Sequence, residues 1–253
     1  MLISMQLYSN ELKKDTQVNV ILPNYPGYAE APYKTLWLLH GRSQDHTAWL
    51  RNSDIEEYAA RYRLAVIMPN ADRSWYTDTA YGMNYFSYIT NELREVCYRN
   101  FKTLSDRRED NIVAGVSMGG YGAVKMALSK PELFGACISL SGALDIVGKC
   151  ASDNVNEWRS IFGLDGELTS MLEGGDHDLF ALAKKLKLSG KFFPTIYTWC
   201  GLDDRLLSSN ETFDNYLKNL SVEHCSTVSL GDHSWHWWNM HLKNALEWTL
   251  NSL

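Results

Sequence analysis

No apolar stretch in the 253-residue sequence approaches the roughly 18 residues that a membrane-spanning helix requires, so a spanning segment is not expected. The first residues, Met1 to Tyr8, alternate polar and apolar side chains. They lack the basic start and long apolar core of a secretory leader. The five cysteines (Cys97, Cys137, Cys150, Cys200 and Cys225) are odd in number and scattered, with no CxxC pair. That pattern speaks against a disulfide framework and for reduced thiols in a cytoplasmic protein. Cys137 and Cys200 lie inside apolar runs and read as small buried hydrophobes. Basic clusters are missing too, and the net charge is −6, so a nucleic-acid partner is not expected. No HExxH is found, and Asp232-His233-x-x-His236 is too sparse to suggest a metal hydrolase. Neither metal nor cofactor is expected. Repeats and low-complexity tracts are absent as well.

Hydrophobic residues make up 45% of the chain and charged residues 21%, enough for one large core in a single domain over residues 1–253. Leu2–Tyr8 and Gln17–Leu22 read as a hairpin around the polar Asn10–Asp15, and Pro23–Pro32 reads as a loop. Short apolar runs follow at Thr35–Leu39, Leu64–Met68, Asn111–Gly115, Ala136–Leu140, Thr195–Trp199 and Ser226–Leu230. Between them, helical patterns occupy Asp54–Arg63, Tyr85–Phe101, Gly119–Leu128, Ser208–Leu220 and Trp235–Leu250. Runs with little alternation predict strands buried on both faces. The strand–helix rhythm predicts a mainly parallel sheet with helices on both sides, an α/β fold of the α/β-hydrolase type. Ile146–Phe193 is too long for a simple crossover. With helical pieces at Asn154–Phe162 and Asp178–Lys187, it reads as a helical cap insertion over about 146–193.

Gly115-Val116-Ser117-Met118-Gly119 matches G-x-S-x-G, a common pattern by itself. Here it follows a predicted strand and opens a helix rich in small residues, which is the setting of a nucleophile elbow. The turn strains the serine backbone and leaves no room for side chains two residues before and after it. Those positions are Gly115 and Gly119. A serine hydroxyl needs a base to take its proton and an acid to orient that base, and in this fold the acid and the base come later, each after a strand. The strand at Thr195 runs into Gly201-Leu202-Asp203-Asp204, leaving Asp203 or Asp204 as the acid. The last strand runs into Gly231-Asp232-His233, making His233 the base. His224 precedes that strand, His236 and His241 fall in the next helix, and His177 reads as solvated surface of the insertion. An oxyanion hole needs two backbone N–H groups. Met118, just after the nucleophile, supplies one, and Arg42 in Leu38-Leu39-His40-Gly41-Arg42 is the candidate for the other. His40 itself reads as a structural loop residue.

Several motifs occur in order: His40-Gly41 with Trp49, Met68-Pro69-Asn70, Ser74-Trp75-Tyr76-Thr77-Asp78, Gly115–Gly122, Cys200-Gly201-x-x-Asp204, and Gly231-x-His233-x-Trp235. Together they resemble the esterase D-like family of α/β-hydrolases, and within it the bacterial tributyrin esterases, over nearly the whole chain. The resemblance implies a triad of Ser117, Asp204 and His233, choosing Asp204 because the family's acid ends the Gly-x-x-Asp turn. It also implies Arg42 and Met118 as oxyanion donors. Arg42 and Asp232 depart from the usual apolar or small residues of relatives. Trp49, Trp75, Tyr76, Tyr81, Tyr121 and Trp235 gather near these loops, and Trp75 and Trp235 are the candidates to line a substrate pocket. The expected function is hydrolysis of small, short-chain acyl esters through an acyl-enzyme. S-formylglutathione hydrolysis, sugar deacetylation and feruloyl ester cleavage are alternatives on the same scaffold. An intact triad argues against a purely binding module, and homo-oligomerisation is left open.

Overall fold

Period-two burial organises the sheet. In Thr35–Leu39 (β3), Leu36 and Leu38 pack into one layer while Trp37 and Leu39 pack into the other. Strands covered on both faces in this way read as unbroken apolar runs. The computed structural model describes residues 1–23, 32–152, 155–163, 170 and 172–253. Its eight-stranded sheet comprises β1 (Leu2–Ser9), β2 (Lys14–Ile21), β3, β4 (Ala65–Pro69), β5 (Asn111–Val116), β6 (Ala136–Leu140), β7 (Thr195–Gly201) and β8 (Cys225–Ser229). The spatial order is β1-β2-β4-β3-β5-β6-β7-β8. β1 and β2 form an antiparallel hairpin, β2 pairs antiparallel with β4, and every later pairing is parallel. This is the α/β-hydrolase architecture expected from the sequence, with the strands within a few residues of the anticipated runs.

The helices are α1 (Ala48–Asn52), α2 (Ile55–Tyr62), α3 (Tyr85–Ser87), α4 (Leu93–Asn100), α5 (Met118–Ser129), α6 (Ile146–Ser152) and α7 (Val155–Phe162). They continue as α8 (Leu179–Ser189), α9 (Leu207–Asn219) and α10 (Trp235–Ser252). One apolar layer joins the inner faces of α5 and α8 to Trp37, Val113 and Cys137, and the other joins α2 and α10 to Leu38, Ala114 and Ile138. The single helix expected over 85–101 is interrupted by a π turn at Tyr88–Glu92. Periodicity gave no warning of α1 or α6, which are short.

The expected cap divides into two parts. α8 is capped by Asp178, which accepts from the N–H groups of Phe180 and Ala181, and ends at Gly190 in the left-handed region (φ 68°). It packs beside α5 and α9, so it serves as the crossover helix between β6 and β7. Among the described residues, α6, α7 and the stretch from Leu172 to Asp176 are additional to that crossover. Residues 153–154, 164–169 and 171 of the anticipated cap, and 24–31 of the loop after β2, lie outside the described residues.

The strand order reverses between β3 and β5, where the chain leaves β3 for β4 on one side and returns to β5 on the other. In open α/β sheets, ligands bind beyond the carboxyl ends of the strands at such a point. The loops after β3, β5, β7 and β8 carry Arg42, Ser117, Asp204 and His233.

Candidate active site

Ser117 joins β5 to α5 with φ 55° and ψ −115°, a conformation that non-glycine residues rarely adopt. The flanking glycines are required by contact. A Cβ on Gly115 would lie 2.4 Å from the Gly119 carbonyl, and one on Gly119 would lie 2.5 Å from the Leu39 oxygen. The elbow therefore presses directly against the loop that carries Arg42. Hydrogen bonds from the Ser117 N–H to the Leu140 carbonyl (3.0 Å) and from the Ala143 N–H to the Ser117 carbonyl (3.2 Å) fix it from the β6 side.

His233 Nε2 lies 3.0 Å from Ser117 Oγ, and its Nδ1 lies 2.8 Å and 3.0 Å from the two Asp204 carboxylate oxygens. The Asp204 side chain is fully buried. Burial alone pushes its pKa up. Hydrogen bonds from His233, Ser141 and the Leu206 N–H, with the His233 charge, outweigh burial and hold it below the ordinary carboxylate value. Asp203 keeps an exposed side chain and contributes its N–H to the Gly231 carbonyl (2.9 Å). Ser117, His233 and Asp204 thus stand in one hydrogen-bonded line, whereas Asp203 faces solvent.

Met118 is the first residue of α5, so its N–H belongs to the unpaired first turn, at the positive end of the helix dipole. In the loop after β3, the Gly41 N–H is taken by Gln44 Oε1 (2.9 Å), leaving Arg42 as the next N–H along the turn. His40 shapes this loop. Its Nε2 accepts from the Ala71 N–H (2.9 Å) and its Nδ1 faces the Gly41 carbonyl (2.8 Å). Burial lowers the His40 pKa against the upward pull of the Gly41 carbonyl, Asp45 and Asp72, which suits a neutral structural imidazole. The Tyr76 hydroxyl donates to the His40 carbonyl (2.9 Å) and the Trp49 indole to the Leu39 carbonyl (3.0 Å).

A cavity of about 670 Å³ opens over Ser117, and its walls include Arg42, Gln44, Trp75, Lys149, Arg205, His233 and Trp238. Trp75 is one of these walls. Trp235 does not form part of these walls. It packs edge-on against Trp49 (4.9 Å) and Trp238 (5.3 Å), and Trp238 takes the place at the cavity. Trp49, Tyr76 and Tyr121 are core residues, and Tyr81 is exposed.

Three residues take places that the sequence does not indicate. Trp238 meets the His233 ring edge-on at 4.9 Å and donates from its indole to Ser141 Oγ (2.9 Å), and Ser141 helps hold the Asp204 pKa down. Ser141 directly follows β6, so its place at a strand's carboxyl end was an available signal. The third is His177. It is half-buried rather than free surface, and its Nδ1 lies 3.1 Å from the Nζ of the buried Lys125. Burial, then the Lys125 charge, pushes the His177 pKa down to about 3.

Comparison with known proteins bears on the whole chain. The family profile described as "Putative esterase" matches residues 9–249. An acetyl esterase of Caldicellulosiruptor saccharolyticus is 34% identical, over 98% of this chain and 97% of its own. Among solved structures, the fluorophosphonate-binding serine hydrolase F of Staphylococcus aureus superposes with a TM-score of 0.88 at 34% identity, covering 98% of both chains. An S-formylglutathione hydrolase of the same organism superposes at 0.87, also with 34% identity and 98% of both chains. The chain belongs to this esterase family of α/β-hydrolases and is a carboxylic ester hydrolase.

Proposed function

We propose that the chain is a serine carboxylesterase for short-chain acyl esters, of the tributyrin-esterase kind, with Ser117 as nucleophile, His233 as base and Asp204 as orienting acid. The observation that carries this reading is the hydrogen-bonded line from Ser117 Oγ through His233 to buried Asp204, at the floor of a cavity. Ser117 Oγ attacks the acyl carbon as His233 Nε2 takes its proton. The N–H groups of Met118 and Arg42 receive the negative charge that develops on the carbonyl oxygen. His233 then gives the proton to the departing alcohol, and water enters by the same route to release the acid. All five cysteines are free, which suits a cytoplasmic setting, and no helix of the described residues is long and apolar enough to cross a membrane. The short-chain reading rests on the aromatic walls at Trp75 and Trp238. The test is kcat/KM for p-nitrophenyl esters of two to twelve carbons below their micelle thresholds. A maximum between acetate and butyrate is expected. A steady rise toward laurate, at about 0.8 kcal/mol per buried CH2, would reveal an open groove and end the short-chain reading.

A second reading, hydrolysis of S-formylglutathione, is favoured by one feature. Arg42, Lys149 and Arg205 reach the cavity wall from three separate segments, and glutathione carries two carboxylates. A kcat/KM for S-formylglutathione well above that for neutral esters would select it, and parity would reject it.

A further inference from the structure

Lys125 lies two turns along α5 from the elbow, 4% exposed, and no carboxylate among the described residues is within ion-pairing distance. A buried cation without such a partner is costly, and a methionine would fill similar space without that cost. What the amine adds is direction. Its Nζ donates to Thr77 Oγ1 (2.7 Å) and toward the Tyr76 carbonyl (3.4 Å), and it meets His177 Nδ1 at 3.1 Å. Burial brings its pKa down to about 7, and Asp78 and Asp176 act against that shift only through their charge. Kept neutral by its own shift, His177 can accept from the amine through Nδ1.

These contacts close a ring. Trp75 packs on Trp158 of α7 (4.8 Å), Trp158 stacks on Phe162 (6.0 Å), and Phe162 packs on His177 (4.7 Å). His177 meets Lys125, Lys125 donates to Thr77, and Thr77 Oγ1 donates to the Trp75 carbonyl (3.1 Å). The segment being held is strained, since Trp75 (φ 53°) and Tyr76 (φ 51°) are both left-handed. A left-handed conformation is unfavourable for side chains of this size and persists only where surrounding contacts over-determine it. Trp75 is also a wall of the cavity over Ser117.

We propose that the Lys125–His177 pair is a latch that joins the α7 insertion to the Trp75 turn, making Lys125 a positioning residue that sets the size of the group the catalytic cavity accepts. This rests on the esterase reading of that cavity. Releasing the latch frees Trp75 from its left-handed turn, so the wall recedes and larger substrates gain relative to small ones.

The experiment measures kcat/KM for two ester series, one lengthened on the acyl side and one enlarged on the alcohol side. The enzymes are the parent, Lys125→Met, His177→Phe and the double variant. His177→Phe keeps the packing on Phe162 and removes only the acceptor, so it serves if Lys125→Met folds poorly. The large-to-small ratio is expected to rise at least about fivefold in one series, through KM of the larger ester. Both single variants should move it in the same direction, and the double variant should add little, as for residues acting through one contact. A uniform fall across both series, or unchanged ratios, would overturn the latch and leave Lys125 a packing residue. Failure of the underlying reading looks different: hydrolysis would then survive Ser117→Ala, whatever the Lys125 variants do.

Discussion

Asp204 is the residue on which sequence and chemistry were most finely balanced, because Asp203 stands beside it in the same turn. The structure separates them by burial. Asp204 is enclosed, accepts from the Leu206 N–H and faces His233 Nδ1, whereas Asp203 points to solvent. Removing the Asp204 charge leaves the imidazole without the group that stabilises its protonated form. Asp204→Asn is therefore expected to lower kcat by roughly 10²–10⁴, and Asp203→Asn by less than about threefold. Parallel kinetics on the two purified variants decide the assignment, and equal losses would contradict it. The side chains that frame this acid were less legible. Ser141 and Trp238 act through contacts formed only when β6, β7 and α10 come together, and no local pattern marks such contacts. Trp235 lies two residues from His233 in sequence, but its ring turns toward Trp49. The helix turn instead brings Trp238 to the imidazole.

At the scale of the element, the elbow was readable because its requirements are local: a strand, two small residues and a helix, all contiguous. The strands were readable because burial on both faces leaves unbroken apolar runs, as in β4 and β6. The insertion was not, since the role of α8 depends on which helices it packs against. The burial of His177 is illegible locally for the same reason: its partner, Lys125, lies 52 residues earlier in the chain. The tight contact between the elbow and the loop carrying Arg42, the proposed oxyanion donor, gives a direct expectation. A Cβ on Gly119 would lie 2.5 Å and 2.7 Å from the Leu39 and His40 oxygens, neither of which can swing aside like a side chain. Gly119→Ala should displace the Arg42 N–H and lower kcat by about 10²-fold or more, the cost of one oxyanion donor. Near-parent kcat in a soluble, folded variant would show that the loop is not held against the elbow.

For the whole molecule, the parallel part of the sheet gathers the ends of β3, β5, β7 and β8 on one side. Stability as a function of pH should carry a signature of Lys125. Its pKa is about 7 when folded and near 10.4 for an unperturbed lysine, so between those values the unfolded chain holds one more proton. Stability then rises with pH across that window, by up to about 1.4 kcal/mol per pH unit. Lys125→Met removes this contribution. The stability of the parent relative to Lys125→Met is therefore expected to increase from pH 7 to pH 10. Chemical denaturation of both proteins at several pH values measures it, and a flat or falling difference would mean the amine is not buried as described.

The central claim is that Ser117 is the nucleophile that His233 activates. A fluorophosphonate that reports on serine nucleophiles, followed by peptide mass spectrometry, tests it directly. One adduct per chain is expected, on the peptide containing Ser117, with esterase activity lost in step. Ser117→Ala should take no label and lose at least about 10³-fold in kcat, and His233→Ala should label much more slowly. An adduct on another residue, or undiminished turnover in folded Ser117→Ala, would contradict the claim.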